Sequence, residues 1–129
     1  IPAFLSAAFQ DEPLPVFGTG EQTRDFTFVD SVTSVIIEAI RNRVSCPSPV
    51  NLAFGTQISL LETISKIENL LGKKLEIEFL EPRVGDVKNS KADNQKLKNL
   101  FPGIKPTTMD EGLAKTIEWF EDTKPWEKR

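Results

Sequence analysis

Apolar residues recur at Ile1, Phe4, Leu5, Ala8 and Phe9. That three-and-four spacing marks one helical face, so residues 1–9 are predicted to be a helix. Pro2 suits its first turn, where a missing N–H costs nothing. Leu14-Pro15-Val16-Phe17 predicts a short strand closed by Gly18-Thr19-Gly20, and Phe26-Thr27-Phe28-Val29 predicts a second. The glycine pair then reads as a hairpin connection. Val32, Val35, Ile36, Ala39 and Ile40 form the buried stripe of a helix from about Asp30 to Asn42. A loop with two prolines, Ser45 to Pro49, precedes a third strand over residues 50–54. That strand is apolar apart from Asn51, as expected when both faces are covered.

Ser59 and Glu62 make a capping box. The helix they open buries Leu60, Ile64, Ile67 and Leu71 and stops at Gly72. Leu75, Ile77 and Phe79 alternate with Glu76 and Glu78, a strand with one wet face. Residues 81–90 form an irregular, charged loop. A short helix from about Asp93 to Leu100 runs into the Phe101-Pro102-Gly103 break. Thr108 and Glu111 make a second capping box, Leu113, Ile117 and Phe120 line the last helix, and the tail from Lys124 is expected to fray. Strands and helices mix without clean alternation, which predicts an α+β or incomplete α/β arrangement, a mixed α/β fragment.

At 129 residues, 39% hydrophobic and 27% charged, the chain has the size and composition of one globular domain. No run approaches the roughly 18 apolar residues of a membrane span. A net charge of −3 without a basic stripe argues against nucleic-acid binding. With no histidine, the usual zinc sets and the Ser-His pair are excluded, and with no tyrosine no phenol can serve as acid or base. Cys46 has no partner for an intramolecular disulfide and no positive sequence neighbour, so it reads as chemically idle in a cytoplasmic, reducing setting. The chain opens at Ile1, inside a helical pattern, and is expected to be a piece of a longer protein.

Gly18-Thr19-Gly20 lacks the third glycine of a dinucleotide loop, because Thr23 holds that place and a strand follows rather than a helix. Arg24-Asp25 reads either as a local salt bridge or as an anion clamp. Arg83-Val84-Gly85-Asp86 reads either as a solvated turn or as a second guanidinium beside a carboxylate that can accept from sugar hydroxyls. A diphosphate suits such a pair, since a guanidinium donates bidentately where lysine offers a point charge. Phe17, Phe26, Phe28 and Phe54 read as core, and Trp119 as packing.

The ordered motifs resemble a known family over nearly the whole chain. They are Pro2-x-Phe4, then Leu14-Pro15-Val16-Phe17-Gly18-x-Gly20-x-Gln22-x-Arg24-Asp25-Phe26, Val29-Asp30, Asn51-Leu52-x-x-Gly55 and Ser59-Leu60. Glu81-Pro82-Arg83-x-Gly85-Asp86-Val87, Ala92-Asp93, and Glu111-Gly112-Leu113 ahead of Trp119-Phe120 follow. This series is similar to the C-terminal half of the extended short-chain dehydrogenase/reductases, in the branch of nucleotide-sugar epimerases and dehydratases. Phe28 and Ser31 depart from it, standing where tyrosine and a second aspartate are common, and so does Phe101-Pro102-Gly103, in place of Leu-Gly-Trp.

The resemblance implies a substrate-binding region of a Rossmann-type enzyme whose NAD loop and catalytic Tyr-x-x-x-Lys lie in an N-terminal half absent from this chain. It implies that Arg24 and Arg83 hold the pyrophosphate from two sides and that Asp86 meets the ribose or a nearby hydroxyl. Pro15, Val16 and Phe17 would present backbone to the base. Residues 50–54 would supply a last strand to the NAD-domain sheet, and the helix over 30–42 would cover that sheet. The implied partners are a nucleotide-diphosphate sugar, the protein's own N-terminal Rossmann domain and a second copy in a homodimer, with no nucleic acid and no membrane. The implied reaction is transient hydride transfer at the sugar C4, with NAD as cofactor and no metal, and this segment alone is expected to be inactive. Two other readings compete with it: a non-catalytic nucleotide-diphosphate-sugar binding or regulatory module, and an interaction domain on the same scaffold.

Overall fold

The computed structural model describes residues 1–128. In chain order the elements are α1 (Pro2–Phe9), β1 (Leu14–Phe17), β2 (Thr23–Asp25), α2 (Val29–Arg41), β3 (Gln57–Ser59), α3 (Leu60–Leu71), β4 (Ile77–Leu80), α4 (Gln95–Leu100) and α5 (Met109–Thr123). A 3-10 turn over Pro125–Lys128 follows.

The apolar face of α1 buries Phe4, Leu5, Ala7 and Ala8. In β1, Leu14 and Val16 are fully buried, so the strand turns one face into the same core. β1 pairs in parallel with β4, with Val16 opposite Phe79 and Phe17 opposite Leu80. Parallel strands need a long crossover, and here everything from β2 to α3 supplies it. α3 begins at the Ser59–Glu62 capping box and ends at Gly72 in the left-handed region (φ 65°). α5 begins at the matching Thr108–Glu111 box. Ile64 and Ile67 of α3 and Leu113, Ile117 and Phe120 of α5 complete the main core. Ser31 is buried because its hydroxyl accepts the Thr107 N–H at 2.9 Å, tying α2 to the approach of α5.

Several expectations are corrected. The second strand is Thr23–Asp25, antiparallel to β3 with Arg24 opposite Ile58, and Phe28 is the extended N-cap of α2. A polar tripeptide becomes a strand because a partner lies beside it, while Phe28 packs against Gly112, where an added Cβ would come within 2.9 Å of the ring. Gly18-Thr19-Gly20 is therefore not a hairpin, since it joins strands of two separate sheets.

Residues 50–54 make no ladder among the described residues. A strand needs a neighbour, and none is beside them; instead Val50, Leu52 and Phe54 pack half-buried near Val35, Leu97 and Phe101 in a second cluster. Of the α2 stripe only Val35 is buried, while Ile36 is 51% and Ile40 72% exposed. The tail also packs: Trp126 stacks on Phe9 with centroids 4.7 Å apart, whereas Trp119, expected to pack, is 53% exposed.

Candidate functional site

Gly20 sits at φ 77°, and a Cβ there would meet the Leu61 side chain at 2.8 Å, so the turn after β1 closes only with glycine at that place. Leu61 N–H donates to the Gly20 carbonyl (3.1 Å) and Leu60 N–H to the Gln22 carbonyl (3.3 Å). The amide of Gln22 donates back to the Phe17 carbonyl at 2.6 Å. These bonds lay the start of β2 alongside the end of β1 and deliver Arg24 to a cleft beside Phe17.

Arg24 is a hub. Its Nη1 donates to the carbonyls of Thr23 (2.8 Å) and Val87 (2.7 Å), and its Nη2 donates to the Asp86 carboxylate. Arg83 approaches from β4: its guanidinium carbon lies 3.7 Å above the Phe17 ring centroid, in cation–π geometry. Asp86 N–H donates to the Arg83 carbonyl at 3.2 Å, closing a turn in which Gly85 takes φ 83°.

Two adjoining clefts result. One, of about 270 Å³, is lined by Pro15, Phe17, Gln22, Arg24, Arg83 and Asp86 among others. The second, of about 520 Å³, shares Phe17, Gln22, Arg83 and Asp86 and adds Glu21, Pro82 and Lys88. Volumes of this order suit a small-molecule ligand. Arg24, Arg83 and Lys88 against Asp86 and Glu21 leave a positive balance there, although the whole chain carries −3. A smaller cleft of about 210 Å³ among Ile1, Phe26, Phe28, Met109 and Leu113 is mostly apolar and has no charged side chain.

Pro15, Phe17, Arg24, Arg83 and Asp86 thus come together from two separate stretches of the chain, residues 15–24 and 83–86. Val16 differs: it is fully buried in the core and lines neither cleft. The local pairing of Arg24 with Asp25 does not occur. Asp25 instead accepts from Gly55 N–H (3.2 Å) and the Thr56 hydroxyl (3.0 Å). Phe17 is cleft wall rather than core. Gln22 went unassigned from sequence, because its role depends on the Phe17 carbonyl that folding puts beside it.

Cys46 also needs correction. The Ser48 backbone N–H holds its thiol below the ordinary value, and the Lys96 ammonium adds to this. Its positive neighbour lies fifty positions along the chain and could not be read locally.

The residues present do not build a dinucleotide cradle. Gly18-Thr19-Gly20 runs into β2, and no helix N-terminus follows to receive a pyrophosphate. Among the described residues no cluster of three His, Cys, Asp or Glu could hold a metal, and no helix is long and apolar enough to cross a membrane.

Comparison with known proteins gives consistent matches. The NAD dependent epimerase/dehydratase family matches over residues 1–53. UDP-glucuronic acid decarboxylase 1 of Xenopus tropicalis is 36% identical over 117 residues, covering 91% of this chain and 27% of that protein. UDP-glucuronate 4-epimerase of Thermodesulfobacterium geofontis is 32% identical over 120 residues, covering 92% of this chain and 36% of that protein. The crystal structure of UDP-glucuronic acid 4-epimerase from Bacillus cereus with UDP-glucuronic acid and NAD superimposes with a TM-score of 0.84 at 29% identity, over 93% of this chain and 38% of that one. The chain therefore spans about a third of the length of the relatives it matches. Parallel β1–β4 pairing, the ordered arginine motifs and agreement along nine-tenths of the sequence converge on one conclusion: the chain is similar to the C-terminal part of the NAD-dependent epimerase/dehydratase family of extended short-chain dehydrogenase/reductases.

Proposed function

We propose that this chain is the C-terminal, substrate-binding region of an NAD-dependent nucleotide-sugar epimerase or dehydratase, and that it holds a nucleotide-diphosphate sugar. The carrying observation is the convergence of Arg24 and Arg83, from β2 and from the loop after β4, on one cleft. Two planar donors flanking a cleft suit the several acceptor oxygens of a diphosphate. Pro15 and Phe17 border the cleft on either side of the buried Val16, at the end of a strand whose backbone would face the base, and Asp86 would lie near the sugar hydroxyls.

Similar proteins carry both decarboxylase and epimerase names with UDP-sugars in common. That supports the shared diphosphate-sugar part of the ligand over any one reaction outcome. In this reading the cofactor supplies hydride exchange at the sugar C4 and is held outside these residues. The chain's own contribution is affinity and orientation, restricting the sugar to a near-attack geometry.

The exposed apolar residues of α2, including Ile36 and Ile40, would cover the sheet of the protein's own N-terminal Rossmann domain. Residues 50–54 would become a strand once paired with that sheet. The reading places the protein in the cytoplasm as a homodimer.

Calorimetric titration of the chain with UDP-glucose, UDP-glucuronic acid, glucose and NAD tests the assignment. Saturable binding of the UDP-sugars without binding of glucose or NAD is expected. Saturable NAD binding to this chain, or indifference to all UDP-sugars, would overturn it.

A further inference from the structure

We propose that Asp86 is a positioning residue: its carboxylate aims Arg24 and straps residues 86–90 to β2, so it acts on the ligand through the guanidinium. The inference rests on the nucleotide-sugar reading above, and it gives Asp86 a different task from direct contact with a hydroxyl.

The strap is built from both backbone and side chains. Thr23 N–H donates to the Lys88 carbonyl at 2.9 Å and Ser90 N–H to the Thr23 carbonyl at 3.2 Å, making an isolated parallel bridge between Thr23 and Asn89. Arg24 adds the Val87 carbonyl and the Asp86 carboxylate to the same seam. The segment otherwise has little holding it: residues 81–89 are all exposed, and Val84 stands fully in solvent.

The turn that puts Asp86 on Arg24 is closed by the Asp86 N–H donating to the Arg83 carbonyl, so the seam orients the Arg24 guanidinium while the Arg83 guanidinium rests on Phe17. A charge-assisted bond to a guanidinium is about twice as strong as one to a neutral donor. Asp86 Oδ1 is therefore committed to Arg24 ahead of any sugar hydroxyl. With Asp86 neutralised, Arg24 loses the charged acceptor of its Nη2 and keeps only the Thr23 and Val87 carbonyls on Nη1, and the strap keeps the longer Thr23–Asn89 side-chain bond at 3.3 Å.

The test uses the full-length protein that carries this segment, with Asp86→Ala, Arg24→Ala, the double variant and Asp86→Asn. UDP-glucose and its 2′-deoxy and 3′-deoxyribose analogues are the probes, and circular dichroism verifies folding. Each alanine variant is expected to weaken UDP-glucose binding roughly tenfold or more, the scale of one charged hydrogen bond. The double variant should be no weaker than Arg24→Ala alone. Asp86→Ala should lose the same factor with all three probes, and Asp86→Asn should recover part of it, because the amide oxygen still accepts.

Without ligand, hydrogen exchange at the Thr23 and Ser90 amides should speed up in both alanine variants. Additive losses in the double variant, or a loss that disappears with a deoxyribose probe, would assign Asp86 to direct contact and overturn the proposal. If the unaltered protein binds no UDP-sugar, the nucleotide-sugar reading fails. The exchange measurement then still decides the strap, which unchanged protection in Asp86→Ala refutes and faster exchange upholds.

Discussion

Arg24 and Arg83 reach one cleft by different routes, and that difference sets what each substitution should do. Arg83 is exposed and rests on the Phe17 ring, so its position depends on an aromatic face. Arg83→Ala should weaken nucleotide-sugar binding by roughly 1.5–3 kcal/mol, the range for a hydrogen bond involving a charged group. Lysine should restore only part of it, since it cannot reproduce the planar fork. Phe17→Leu keeps the apolar bulk but removes the ring, and should cost binding about 0.5–1 kcal/mol, the value of an exposed cation–π contact. Calorimetry checks both, with Arg41→Ala as a control on the exposed end of α2, expected within about 0.5 kcal/mol of the parent. An Arg83→Ala variant that binds like the Arg41→Ala control would remove Arg83 from the clamp.

Among the elements, α3 and α5 depend on their first turns. The Ser59 N–H holds Glu62 below the ordinary carboxylate value, and the Thr108 N–H does the same for Glu111. In each case the folded carboxyl is the stronger acid, so the unfolded chain binds more protons as pH falls. The stabilisation is complete above the unfolded carboxyl value and fades as pH drops through the folded one. Urea midpoints should therefore fall on acidification below about pH 4.3, the ordinary glutamate value. The Glu62→Gln, Glu111→Gln double variant should show a shallower fall. Thr108→Ala should cost about 1 kcal/mol at neutral pH, as typical for a lost N-cap. At the turn between β1 and β2, Gly20→Ala faces both a positive φ and the Leu61 side chain. Denaturant unfolding should show a loss of about 1–3 kcal/mol, the cost of holding a side chain in that region.

The molecule as a whole leaves one element underused. α2 exposes Val29, Ile36, Ile37 and Ile40 while burying Ser31 and Val35, so its most apolar side meets water. Exposed apolar surface of this kind favours association. Sedimentation of the isolated chain should show concentration-dependent oligomers and hydrophobic-dye binding, both reduced in an Ile36→Lys, Ile40→Lys double variant. A monodisperse monomer that leaves the dye dark would mean that the α2 face needs no cover. Residues 50–54, expected as a strand awaiting the NAD-domain sheet, are half-buried instead, and the difference from α2 has a simple cause. Those residues found Leu97 and Phe101 across the chain, whereas α2 found too few partners for its stripe.

What the sequence alone determined about this protein is a set of features fixed by short-range geometry. The capping boxes at Ser59 and Thr108, the stop at Gly72, the periodic cores of α3 and α5 and the family motifs around Arg24 and Arg83 all rest on spacings of a few residues. Tertiary structure alone decided which strands exist and which charges meet. Thr23–Asp25 became a strand and residues 50–54 did not, because a ladder is a property of two segments and only one of them had a neighbour. Arg24 chose Asp86, 62 positions away, over adjacent Asp25, because backbone pairing at Thr23 and Asn89 carries the distant carboxylate to it while Asp25 is occupied by Gly55 and Thr56. Local pattern encodes the backbone's own preferences, but a partner brought in by folding lies beyond any window along the chain.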